Sequence, residues 1–204
     1  MSLRWKISCG ALLCVLSLVL SAAAKADSTY TSLSAFEAAV TPLTETTSLG
    51  TDGSSVSSVT LADGTGVSFS SPATILDATV DWATWCCSYT GQVAYESGVS
   101  SATLTTSPVS AFGMFIEPEQ FQIEDITVSL SDGTSITQAV NGDGGAAFFG
   151  FVASYQVTSL TITDASGDSF AVGDFFTDVP EPSSLALLGT GLLGLPFARR
   201  RRRS

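Results

Sequence analysis

The sequence predicts an all-β protein: an antiparallel β-sandwich, jelly-roll-like, with one short helix near the N-terminal end of the domain. Three observations carry that expectation. Apolar and polar residues alternate in short runs rich in Thr, Ser, Val and Phe, the period-two pattern of half-buried strands. Asp-Gly pairs punctuate those runs, a strong local signal for a hairpin turn. Beyond residue 42 no stretch carries the 3.6-residue period of a long amphipathic helix.

The elements follow in chain order. Between residues 31 and 40, Ser34-Ala35-Phe36-Glu37 fits a Ser-x-x-Glu capping box ahead of Ala38, Ala39 and Val40, and Pro42 stops the helix. Runs at 56–61 and 67–71 flank Asp63-Gly64 and predict a first hairpin. Runs at 126–130 and 135–140 flank Asp132-Gly133 and predict a second, in which Ile126, Val128 and Leu130 share one face. Runs at 157–163 and 169–176, joined through residues 164–168, predict a third. Further runs lie at 73–80, 92–96, 100–106, 109–116 and 146–152. The total is about ten strands with turn signals every 8 to 12 residues or so, which fits one sandwich.

Charge narrows the chemistry. The 204 residues include 19 acids, 8 Lys or Arg and no His, for a formal net charge of −11. The basic residues are Arg4, Lys6 and Lys25 at one end and Arg199, Arg200, Arg201, Arg202 and Arg203 at the other. Residues 26–198 contain none. Such a domain repels phosphate backbones, which excludes nucleic acid as a partner. Without His or Lys there is no Ser-His or Cys-His pair, no Schiff-base lysine and no imidazole metal ligand. Without Arg there is no bidentate clamp for phosphate or carboxylate. Activity of any kind would rest on carboxyls, hydroxyls or a bound cation.

Three constellations are candidates. Glu117-Pro118-Glu119 sets two carboxyls two residues apart, on one face if the chain is extended, a spacing compatible with glycoside hydrolysis; a solvated, edge-protecting strand end is the better account of it. Asn141-Gly142-Asp143-Gly144-Gly145 offers oxygen ligands to a hard cation, although turn chemistry explains the same residues. A structural Ca2+ suits this His-free acidic domain, with Glu37 or Asp174 among its ligands, but spacing does not reveal the set. The stretch 81–89 supplies Trp82, Trp85 and Tyr89, either a glycan-stacking surface or core aromatics. Cys86 and Cys87 in the same stretch leave three states open: a vicinal disulfide, two thiols, or a bond to another chain.

The two ends read as targeting segments. Residues 1–26 have the layout of a signal peptide, with Arg4 and Lys6, an apolar run at 7–20 and Ala24-Lys25-Ala26 before Asp27. Cys9 and Cys14 fall in the removed part and lack a lipobox context. At the other end, residues 179–204 run from Pro180-Glu181-Pro182 through an uncharged segment at 185–198 to the arginine block. That segment spans about 21 Å as a helix, short of a hydrocarbon core of about 30 Å. Starting the helix at Pro182 and letting the arginines snorkel brings a transmembrane helix within reach. The arginines hold their end on the cytoplasmic side, so the domain lies outside.

This tail resembles the PEP-CTERM sorting signal, in which a Pro-Glu-Pro motif, a short apolar helix and a terminal Arg cluster address exported bacterial proteins to exosortase, a transpeptidase-like membrane enzyme. Pro180, Glu181 and Pro182 match the motif, and Arg199 to Arg203 match the cluster. The phrases Phe112-Gly113-Met114-Phe115, Phe148-Phe149-Gly150-Phe151 and Val172-Gly173-Asp174-Phe175 also resemble strands of exported PEP-CTERM β-sandwich proteins. Those proteins often end in an Ile-Asp-Asn/Asp-Phe-like strand, from which this chain departs at Gly173. Domains of this kind are similar to carbohydrate-binding sandwiches. The resemblance implies a processing and sorting route, in which the exported protein is held transiently in the inner membrane, processed by exosortase and released to the cell surface or extracellular matrix; the mature domain itself is expected to be non-enzymatic. There it would bind exopolysaccharide or serve structurally; the alternative is a secreted carboxylate-dependent polysaccharide hydrolase.

Overall fold

The computed structural model describes residues 27–178. The signal peptide, the expected membrane helix, Pro180-Glu181-Pro182 and the arginine block lie outside the described residues. Among the described residues, no helix is long and apolar enough to cross a membrane.

The chain forms β1 (Ser28–Tyr30), α1 (Leu33–Ala39), β2 (Leu43–Thr46), β3 (Ser55–Thr60), β4 (Gly66–Asp77) and β5 (Gln92–Glu96). It continues with β6 (Ser101–Pro118), β7 (Ile123–Leu130), β8 (Ser135–Asn141), β9 (Ala147–Asp164) and β10 (Phe170–Asp178). Every pairing is antiparallel, and all ten strands belong to one hydrogen-bonded network.

That network becomes a sandwich because its longest strands serve both layers. Residues 101–105 of β6 pair with 159–163 of β9, and β7 and β8 extend this layer. Residues 111–116 of β6 pair with 147–152 of β9 in the second layer, which β10, β5, β2 and β1 complete. β4 closes the circuit, meeting β6 at Phe69↔Leu104 and β5 at Ile75↔Ala94. Register shifts between Thr105 and Val109 and between Val109 and Ala111 mark where β6 bends, with Pro108 in the irregular stretch.

Those bends explain one difference from expectation. The runs at 100–106 and 109–116 are one strand, as are 146–152 with 157–163, and β4 absorbs most of 67–80 across Pro72. A break in alternation marks a change of layer, not the end of a strand. The first two hairpins form as expected. The third does not. β9 ends paired with β6 and β7, whereas β10 pairs with β2, β5 and β6, so residues 165–169 cross between layers. The expected helix forms, but its N-cap is Ser32 and no side chain caps it. Ser34 instead lies inside the first turn, its hydroxyl 3.0 Å from that of Ser32, so the capping box is not made. β1 and β2, three and four residues long, are too short for their alternation to register.

Two apolar cores result. The main one lies between the layers and takes Phe112, Met114 and Ile116 from β6, Phe149 and Phe151 from β9, and Phe170, Val172 and Phe175 from β10. Their strand neighbours face the other way. Phe115, Phe148 and Phe176 join Phe36, Trp82 and Trp85 in a second core on the outer face of the second layer. Helix α1 is seated there by Phe36, which is fully buried. Gly113 and Gly150, cross-strand partners, clear the seat: a Cβ at Gly150 would stand 2.7 Å from Phe148 and 2.9 Å from Phe36.

Candidate functional site

A cleft of about 850 Å³ opens over this second core, between α1 and residues 87–91. Its floor is Phe115, Phe148 and Phe176, with ring centroids 5.3 to 6.4 Å apart and mostly edge-on or tilted. α1 supplies one wall through Leu33, Ser34 and Glu37; Cys87, Ser88 and Tyr89 form the other. Cys86 and Cys87 are joined as a vicinal disulfide. Positive φ at Cys87 (67°) and Ser88 (58°) turns the chain sharply there, and Gly145 makes room, since its Cβ would stand 2.8 Å from that of Cys86.

Two carboxyls enter from neighbouring strands. Antiparallel pairing of β2 with β10 sets Glu45 opposite Phe176, two residues beyond Asp174. Asp174 has φ +49° and lies within the register shift between Gly173 and Phe176 on the β6 side. Such irregularities re-aim a side chain. Here the result is a carboxyl lining the cleft. Burial, then the hydrogen bond and charge of Glu45, push Asp174 up to about 7. Its Oδ1 is buried without a hydrogen-bond partner, and the residue is 9% exposed. Beside it the Tyr89 hydroxyl donates to the Gln92 carbonyl at 3.0 Å, with the Thr47 carbonyl at 3.3 Å. Burial and the Asp174 charge hold that phenol protonated well above its usual range.

A second acidic pair lies outside the cleft. Glu124 and Asp164 share the Ser166 hydroxyl, at 2.7 and 2.6 Å, and Gln122 Nε2 donates to Glu124 at 2.8 Å. Burial and Glu124 push Asp164 up to about 6, so this pair titrates as a unit around one proton.

The sequence candidates are dispersed. Tyr89, Glu37 and Asp174 all line the cleft. Trp82 and Trp85 are 9% and 8% exposed, packed against Tyr95 and Tyr89 at 5.3 and 6.0 Å. Both belong to the second core, and neither lines the cleft; Trp82 lines the separate groove with Glu119. Glu117 and Glu119 separate: Glu117 is fully buried without a partner, while Glu119 is exposed in a groove of about 490 Å³ with Val80 and Phe121. The 141–145 loop is a turn, in which the Asp143 and Gly144 amides donate to Asn141 at 3.1 and 2.8 Å. Among the described residues, no group of three or more His, Cys, Asp or Glu converges on a metal position. Glu45 and the phenylalanine floor went unread. Leu43-Thr44-Glu45-Thr46 carries no apolar-polar alternation, and nothing local marks either.

The C-terminal tail that follows this all-β domain in the sequence defines the class: an exported domain bearing its own sorting address. Residues 178–203 match the family model described as the PEP-CTERM protein-sorting motif, so the chain is an exported protein sorted through exosortase. No curated protein matches the chain. Among solved structures, it is similar to the exo-β-1,3-galactanase of Phanerochaete chrysosporium with galactose, at 14% identity and a TM-score of 0.24. That match covers 74% of this chain and 29% of the galactanase, and at so low a score it carries no argument.

Proposed function

We propose that the mature domain is a non-enzymatic surface or matrix component that binds a neutral exopolysaccharide in the cleft over Phe115, Phe148 and Phe176. The observation that supports this reading most is the cleft's composition, an aromatic floor under a rim of hydroxyls and carboxyls. Sugar rings have apolar faces and polar edges, and a site of this kind satisfies both. The precursor would sit briefly in the inner membrane until exosortase acts at Pro180-Glu181-Pro182. Replacing those three residues by alanine should leave the precursor uncleaved in the membrane fraction; unchanged processing would leave a simple tail anchor.

A second reading has one observation in its favour. Glu45 and Asp174 form a carboxyl pair with one member held protonated near neutrality, the arrangement an acid-base hydrolase uses. Incubating the exported protein with a panel of polysaccharides separates the two. Retention on a glycan with no release of reducing ends, weakened tenfold or more by Tyr89→Ala, is the expected outcome. Reducing ends that disappear with Asp174→Asn would establish the hydrolase instead.

A further inference from the structure

We infer that Glu45 and Asp174 bind a calcium ion at the cleft. The two carboxyls come from adjacent antiparallel strands and line one wall of solvent-accessible space. Asp174 is nine-tenths buried, and its Oδ1 has no hydrogen-bond partner. Other acids of the domain show what a satisfied carboxylate looks like here. Asp178 accepts from the Ser110 hydroxyl and the Ser110 and Ala111 amides, and Glu124 accepts from Gln122 and Ser166. Asp174 has only the Glu45 carboxyl as a side-chain partner, and its Oδ1 has none.

The protein cannot supply a countercharge. Residues 27–178 hold eighteen acids and no Lys, Arg or His. Once both members of this pair are ionised, the only positive charge that can balance them comes from outside the domain. Two carboxylates, with the Thr47 carbonyl close by at Tyr89, form a hard, all-oxygen environment. Ca2+ takes six to eight oxygens in flexible geometry and accepts water for the remainder, which an open cleft provides; Mg2+ demands a near-ideal octahedron. Two carboxylates make a weak site, on the order of 10⁻⁴ to 10⁻³ M, the range of extracellular modules. The inference stands whether or not the cleft binds a glycan.

The test is calcium titration of the exported protein after EDTA treatment, at a fixed ionic strength of about 0.4 M, set by NaCl so that it stays above the contribution of calcium chloride itself. Unfolding temperature is followed by circular dichroism, and binding by terbium luminescence sensitised by aromatic side chains. Calcium at about a hundredfold excess over Kd should raise the unfolding temperature by roughly 5–10 °C. Asp174→Asn should abolish the shift, Glu45→Gln should weaken binding at least tenfold, and Glu119→Gln, at the separate groove, should change nothing. Folded wild-type protein indifferent to calcium, or equally responsive to Mg2+, would overturn the assignment. Should Asp174→Asn fail to fold, the exposed Glu45 carries the test: an unaltered calcium response in Glu45→Gln sinks the site equally.

Discussion

Glu96 and Glu117 are fully buried with all four carboxyl oxygens unpartnered. Glu96 shares the inward face of β5 with Ala94; Glu117 lies on the outer face of β6 near Trp82 and Thr84. Burial raises each from 4.5 to about 7. Both are therefore protonated in the native state where the unfolded chain has already released its protons. Their contribution is complete below pH 4.5 and is lost as pH rises to about 7. Stability should fall across that window. Glu96→Gln and Glu117→Gln should each add about 2 kcal/mol at pH 8 and flatten the profile, read from urea midpoints between about pH 4.5 and 8. A loss of stability at pH 8 in both variants would show that the carboxyls have partners after all.

At the scale of elements, α1 depends on one side chain and the space two glycines leave for it. Phe36 contacts Tyr30 and Phe148 at centroid distances of 5.7 and 5.4 Å, and the helix is only seven residues long. So short a helix does not hold by itself. Phe36→Ala should cost about 3–5 kcal/mol and detach the cleft wall, while Gly150→Ala, which crowds Phe148 and Phe36, should cost about 1–3 kcal/mol. Both are measurable by equilibrium unfolding, and the far-ultraviolet strand signature should persist in each folded variant. The helix itself was legible from its composition and Pro42, but its start was not. Ser32 and Ser34 are both able caps, and the docking of Phe36 on Gly113 and Gly150 decides which turn begins the helix. The Asp-Gly hairpins were legible for a local reason. Asp63 and Asp132 each accept from the amide two residues on at 2.8 Å, and Gly64 and Gly133 take φ near +90°. Asp164 repeats that contact with Ser166, yet no hairpin follows, because pairing partners elsewhere claim β9 and β10.

For the whole molecule, eighteen acids without a basic residue in 27–178 mean self-repulsion in the folded state. Raising NaCl from about 0.01 M to about 0.15 M shortens the screening length from about 30 Å to about 8 Å, and the unfolding temperature should rise by a few degrees. A fall would mean that local attractions outweigh the net field. The sequence by itself determined the all-β class, the two Asp-Gly hairpins, the acidic exterior and the sorting address. Each of these depends on composition or on residues adjacent in the chain. Only the tertiary structure decided that β4, β6 and β9 each pass through both layers and that Trp82 and Trp85 are core. It also decided that Glu45, Tyr89 and Asp174 meet in one cleft. Those outcomes depend on pairings across tens of residues, and across more than a hundred for β2 with β10, and no local pattern encodes which strand a given edge will meet.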